Sequence, residues 1–158
     1  MTFEPVIRET DTPSLESYQQ GLAVLRAFTG EQVGPPDNHD FALLITAPGE
    51  TAVLGGLWAQ SRWGAFYVDM IVVPEALRRT GLGTRLMARA EAEARRRGCH
   101  LMWLDTYAFQ ARPFYERLGF EVFATLEGPA PFYPRWFMRK GLKNPSPLAG
   151  EGVGAADG

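Results

Sequence analysis

The chain has 158 residues, 46% hydrophobic and 22% charged, a globular balance long enough to bury a core. Its 16 basic and 18 acidic residues leave a net charge of −2, which argues against a nucleic-acid binder of overall basic character. One cysteine excludes a disulfide framework and a multi-cysteine metal site, and no apolar run reaches the length of a membrane span.

The expectations from these bulk features are a cytoplasmic protein with no metal, no nucleic-acid partner and no membrane partner. The opening "MTFEPVIRET" lacks the basic region and apolar run of a signal peptide. "FEPVIRE", Phe3–Glu9, reads as a first strand. In "DTPSLESYQQGLAVLRAFTG", Thr12 or Ser14 caps a helix, with Pro13 in its first-turn region. Leu15, Tyr18, Leu22 and Leu25 form its apolar stripe, and Gly30 is placed to stop it. "GPPDNHD" reads as a loop.

"FALLITAPGETAVLGGLWAQSRWGAFYVDMIVV" reads as a three-stranded meander with turns at "APGE" and "RWGA". Its third strand, Ala65–Val73, leads into "PEALRRTGLG" and then a helix from Leu82 to about Arg97. Leu82, Leu86, Ala90 and Ala94 give that helix one apolar face, and Gly98 ends it. "HLMWLDT" is a short buried strand, and "ARPFYERLG" a short helix with Pro113 in its first turn. "FEVFATL" and "RWFMRKGL" are two further strands. The order β-α-β-β-β-α-β-α-β-β predicts a mixed sheet with helices on its faces. Residues 1–143 form one domain on this reading. Residues 144–158, rich in Gly, Pro and Ala, form a disordered tail.

The strand-loop-helix junction carries the first functional signal. The first N–H groups of a helix lack intrahelical partners and carry the positive end of its dipole. Gly81 and Gly83 let backbone amides approach an anion, and Arg78 and Arg79 add charge. A P-loop is excluded by the absence of Gly-Lys-Ser/Thr. The dinucleotide fingerprint fails because Leu86 stands where its last glycine belongs. The junction alone leaves open a phosphate cradle of another kind or a plain helix start.

Arg78-x-x-Gly81-x-Gly83 between a strand and a helix resembles the Gln/Arg-x-x-Gly-x-Gly/Ala signature of the GNAT N-acetyltransferase superfamily. Downstream, Ala111, Tyr115, Gly119 and Phe120 in "ARPFYERLGF" resemble that family's Ala-x-x-x-Tyr-x-x-x-Gly-Phe segment. The likeness runs roughly from Phe41 to Leu142. It implies an α/β fold: a mixed, mostly antiparallel, splayed central sheet of about seven strands with three to four helices. It also implies acetyl-CoA as cosubstrate. The diphosphate would lie on the loop Arg78, Arg79, Thr80, Gly81, Leu82, Gly83 and Thr84, and the pantetheine arm along Met70, Ile71, Val72 and Val73. Many members carry an Asn seven residues before the tyrosine. Ala108 stands there in this chain, and Gln110 is the nearby substitute.

Acetyl transfer to an amine needs the amine deprotonated, the thioester carbonyl polarised and the leaving thiolate protonated. An amine of pKa about 10.4 costs on the order of 4–5 kcal/mol to deprotonate at pH 7. Asp69, a charge within the strand "FYVDMIVV", is the leading candidate for the proton acceptor or acceptor anchor, ahead of Asp105 and Glu75. Tyr115 has a phenol suited to protonating the thiolate, and the matching family tyrosine lies near the CoA sulfur. A backbone N–H near Val72 is the implied carbonyl donor. Cys99 reads as a core residue, and His39 and His100 take no ligand role. Arg95, Arg96 and Arg97 read as solvated charges complementing the helix dipole.

The expected acceptor is a small-molecule amine; Trp58, Trp63, Tyr67, Tyr107, Phe109, Phe132, Tyr133 and Trp136 are aromatic candidates for its side, among which the sequence does not choose, and the loop "EGPAPFYPRW" is placed to close over it. Acetylation of a protein lysine or N-terminus, a non-catalytic CoA-binding module and a nucleotide-phosphate binder remain alternatives. A homodimer is compatible with the fold type.

Overall fold

A computed structural model describes residues 3–35 and 37–143. The expected tail, 144–158, lies outside the described residues. The chain falls into two compact units, Met1–Pro36 and Asp37–Gly158.

In the first unit, residues 3–14 contain no strand, and helix α1 spans Leu15–Val33. The expected strand Phe3–Glu9 is therefore absent. Its apolar residues Phe3, Val6 and Ile7 do not alternate, and Pro5 lacks the N–H a ladder needs. Ser14 caps α1: its hydroxyl accepts from Ser17 N at 3.1 Å. Pro13 precedes the cap. Gly30 does not stop the helix, because a helical glycine costs only about 1 kcal/mol. The stop falls at Gly34, with φ of 89°, whose N–H donates to Gly30 O at 3.1 Å.

The second unit is a six-stranded sheet ordered β1-β2-β3-β4-β6-β5. Its strands are β1 (Asn38–Thr46), β2 (Val53–Arg62), β3 (Ala65–Val72), β4 (Leu101–Tyr107), β5 (Glu121–Leu126) and β6 (Arg135–Gly141). Only β3 and β4 run parallel; the other neighbours are antiparallel. β1 starts inside the expected loop "GPPDNHD", and Asn38 pairs with Arg62. Helix α2 (Leu82–Arg96) follows a 3-10 turn at Glu75–Leu77, and α3 (Arg112–Arg117) joins β4 to β5.

The core lies between α2 and one face of the sheet. Leu86, Met87, Ala90 and Ala94 of α2 are buried, as the apolar stripe predicts. They meet Leu57, Phe66, Val68, Met102, Leu104 and Met138, which alternate along the strands. Burial of a Leu or Met side chain contributes about 1.5–3 kcal/mol, so these layers hold α2, and with it the N-terminus of α2, against the sheet. Cys99 is buried in the same core.

The far end of α2 departs from expectation. Arg96 is a surface charge paired with Glu93, but Arg97 is only 16% exposed. Its guanidinium donates to Glu93, to the His39 and Asp40 carbonyls and to Ser61 Oγ. It also lies 5.5 Å from the Phe41 ring centre and 5.8 Å from that of Phe66. Arg97 is thus a tie between the helix end and β1–β2 rather than a solvated charge.

Candidate active site

Two irregularities of β3 build the site. The first is a β-bulge: Val68 pairs with Ala59 and Met70 with Trp58, leaving Asp69 as the extra residue. The bulge shifts the alternation, so that Phe66 and Val68 are buried, Asp69 and Met70 are exposed, and Ile71 and Val73 pack on the core. A sequence of strict period two would have hidden this. The second is a parting of strands. β3 and β4 are in register only at Ala65–Leu101, Phe66–Met102 and Tyr67–Trp103. Beyond Tyr67 they separate, which leaves one backbone edge of β3 unpaired as it approaches α2.

The gap is a cavity of about 970 Å³. Val68 to Val73 form one wall, and Leu104, Asp105 and Thr106 of β4 the other. Its end is the loop into α2, from Leu77 through Thr84, and its side is closed by Phe109, Gln110, Ala111, Phe114, Tyr115 and Arg117. Met70, Ile71, Val72, Val73, Arg78, Arg79, Gly81, Leu82, Gly83, Thr84, Gln110, Tyr115 and Asp69 therefore line one cavity. Thr80 does not: its hydroxyl donates to Leu77 O at 2.7 Å and stabilises the turn.

The helix end inside this cavity is open. Gly81 adopts φ of 78° as the N-cap residue and offers no side-chain cap. The first turn carries no acidic residue, and the first helical bond runs from Arg85 N to Gly81 O. The N–H groups of Leu82, Gly83 and Thr84 thus lie ahead of the intrahelical ladder. Arg78 and Arg79 are exposed beside them, with Arg78 Nε donating to Val73 O at 3.2 Å. Gly83 has a different role from Gly81. A Cβ there would make only ordinary contact, 3.4 Å from Phe114 Cζ, so what its absence keeps clear is the space beside the α2 amides.

In the side wall, Tyr115 is 8% exposed, with its ring edge-on to Phe114 and Phe120. Burial, and then the charge of Asp105, push its phenol above the usual tyrosine range. The Asp105 carboxylate accepts from Tyr67 Oη at 3.1 Å and from Arg135 Nε at 2.7 Å. Gln110 does not present its carbonyl to the cavity. That oxygen accepts from Tyr107 N at 2.8 Å and Thr106 Oγ1 at 3.1 Å, fastening the loop after β4. Glu75 lies in the 3-10 turn, outside the cavity lining. Phe114 and Thr106 are lining residues that the sequence reading did not single out, whereas Phe109 is one of its aromatic candidates. Phe114 adjoins Tyr115 in "RPFYERLGF", but spacing alone could not say which of two neighbouring aromatics faces the cleft.

The comparisons agree with this architecture. The model of the Acetyltransferase (GNAT) family matches residues 7–120. The chain is 38% identical over 102 residues to an acetyltransferase of Agrobacterium fabrum, covering 65% of this chain and 74% of that one. It is 42% identical over 81 residues to the blasticidin-S acetyltransferase of Streptomyces morookaense, covering 51% of this chain and 57% of that protein. A crystal structure from Agrobacterium tumefaciens, described as an acetyltransferase, superposes with a TM-score of 0.81 at 30% identity, over 87% of this chain and all of that one. With its two sequence motifs, its parted parallel strands and a family match over most of its length, the chain belongs to the GNAT family and is an N-acetyltransferase.

Proposed function

We propose that the protein transfers the acetyl group of acetyl-CoA to a primary amine of a small molecule, by direct attack on the thioester. One observation carries this reading. A single cavity joins the open, arginine-flanked N-terminus of α2 to an unpaired strand edge, and that edge leads to Asp69 and Tyr115.

The residues present fit acetyl-CoA. Amides at the head of α2, with Arg78 and Arg79, match a diphosphate in charge and donor type. The unpaired edge from Val68 to Val73 offers N–H and C=O groups to the amides of a pantetheine arm, in the manner of an added strand. Bound there, acetyl-CoA supplies an activated acyl group.

This chain's residues do the rest. A backbone N–H of β3 near Val72 polarises the carbonyl. Asp69, turned out by the bulge, takes the amine proton directly or through water. Tyr115, kept protonated by burial and by Asp105, gives a proton to the departing sulfur. Similarity to a relative named for acetylating blasticidin S favours a small-molecule acceptor. The buried Cys99, the chain's one cysteine, agrees with a reducing cytoplasmic setting.

Calorimetry with acetyl-CoA, CoA and ATP tests the cleft: the first two bind and ATP does not. Thiol release with a panel of amines then tests turnover. Binding without turnover of any amine would leave a CoA-binding module, and preferential turnover of peptides would make the acceptor a protein.

A further inference from the structure

A second cavity, of about 600 Å³, lies beside the cleft. Asp40 of β1, Trp58 and Gln60 of β2, and Tyr67 and Asp69 of β3 line it. Leu57, Ala59 and Ser61, which alternate with Trp58 and Gln60, are buried on the α2 side, so this cavity opens on the other face of the sheet. Asp69 belongs to both cavities. The bulge therefore puts one carboxylate at the junction of the two.

Its chemistry is one-sided. Its lining holds two carboxylates and three aromatic residues, Phe41, Trp58 and Tyr67, and no lysine, arginine or histidine is among its described lining residues. Asp40 accepts from the neutral amide of Gln60, at 3.0 Å, and no ion pair of Asp40 or Asp69 exists among the described residues. Arg97 binds the Asp40 backbone carbonyl and packs on Phe41 and Phe66, on the core side. Arg62, two residues along β2 from Gln60, donates to Asn38 Oδ1 at 2.8 Å instead of pairing with the Asp40 carboxylate. Tyr67 is held in place by stacking on Trp103, with ring centres 4.2 Å apart, and by its bond to Asp105. Tyr67 is thus preorganised, and aromatic faces with carboxylates at their margins favour organic cations.

The register gives the spacing. Asp40 lies opposite Gln60 and Gln60 opposite Tyr67, with Asp69 two residues further along β3. Two strands at about 4.8 Å each and two residues at about 3.3 Å each put the Asp40 and Asp69 backbones about 12 Å apart. From this we infer that the second cavity is the acceptor site and selects a dicationic amine: one amino group at Asp69, facing the thioester, and a second basic group held by Asp40 against Trp58. The inference rests on the acetyltransferase reading of the adjoining cleft. Asp69 serves the reacting nitrogen, and Asp40 and Trp58 determine specificity.

The test is calorimetric titration of the CoA-saturated full-length protein with hexamethylenediamine and with hexylamine, which share a chain length but differ by one charge. The diamine binds about tenfold more tightly than the monoamine. Asp40→Asn, which can still accept the Gln60 hydrogen bond, abolishes that preference and leaves CoA affinity unchanged. Asp40→Glu restores it in part, and Trp58→Leu weakens the diamine. Equal affinity of the two amines for the unaltered protein overturns the inference, as does failure of both to bind or a preference that survives Asp40→Asn. Failure to bind CoA is a separate result. It removes the acetyltransferase reading of the cleft, while the same amine comparison without CoA still decides the second cavity.

Discussion

The phenol of Tyr67 donates to Asp105 Oδ1 at 3.1 Å, and the same carboxylate accepts from Arg135 Nε at 2.7 Å. This pair crosses the last point at which β3 and β4 remain in register, Tyr67 beside Trp103. It ties the two strands together where they part, and it puts a negative charge between the two cavities. Burial first, then Asp105, then Asp69, push the Tyr67 pKa up to about 12.

That shift has a definite sign. Below pH 10 the phenol is protonated in both folded and unfolded chains, and its contribution to stability is complete. Between pH 10 and 12 the unfolded chain ionises first, so stability falls as the pH rises through that window. Tyr67→Phe should flatten this alkaline loss, read as the difference in unfolding midpoint between the two ends of the window. An unchanged slope would remove Tyr67 as its source.

Tyr115→Phe should lower kcat by about 10²–10⁴, the usual range for losing a general acid, with acetyl-CoA affinity little changed. Asp105→Asn probes the same phenol from a distance. Removing that negative charge lets Tyr115 ionise at lower pH, so the basic limb of the pH–rate profile should move to lower pH. Full activity in Tyr115→Phe returns the tyrosine to a packing role.

Gly83→Asp should abolish measurable binding of acetyl-CoA by calorimetry. Its Cβ makes only ordinary contact with Phe114, at 3.4 Å, but its carboxylate would sit at the positive end of α2, where an anionic ligand is expected. Gly81→Ala should act more mildly. It meets no atom within 4 Å, yet it places a side chain at φ of 78°, a strain of about 1–2 kcal/mol. Retained affinity in Gly83→Asp would sink the diphosphate assignment.

Arg97→Ala should cost about 2 kcal/mol of stability in denaturant unfolding, through loss of hydrogen bonds to two strands and ring contacts to Phe41 and Phe66. Arg96→Ala, at a side chain 71% exposed, should leave the unfolding midpoint nearly unchanged. Equal effects would contradict the structural role given to Arg97. Their shared partner adds a pH signature. Hydrogen bonds from Arg96 and Arg97 lower the Glu93 pKa from 4.5 to about 2, so this contribution is present above pH 4.5 and lost as pH falls towards 2.

The sequence by itself determined the family and most of the elements. "RRTGLG" after a strand and "FYERLGF" after the next one name a local geometry, because an open helix start and a short Pro-led helix are set by residues a few positions apart. The apolar stripe of α2 was equally legible, since period 3.6 is a local signal that the core then satisfies at Leu86, Met87, Ala90 and Ala94. Phe3–Glu9 misled because a strand exists only through its partner, and β-propensity measures fit to a sheet rather than a backbone preference.

Tertiary structure decided the rest. The bulge that turns Asp69 outward depends on its pairing with β2, and the cleft on where β3 loses register with β4. Arg97 became a tie because α2 ends beside β1 and β2, and Asp40 became part of a cavity because β1 lies two strands from Asp69. Each is a relation between residues far apart along the chain, and no pattern of neighbouring residues encodes it.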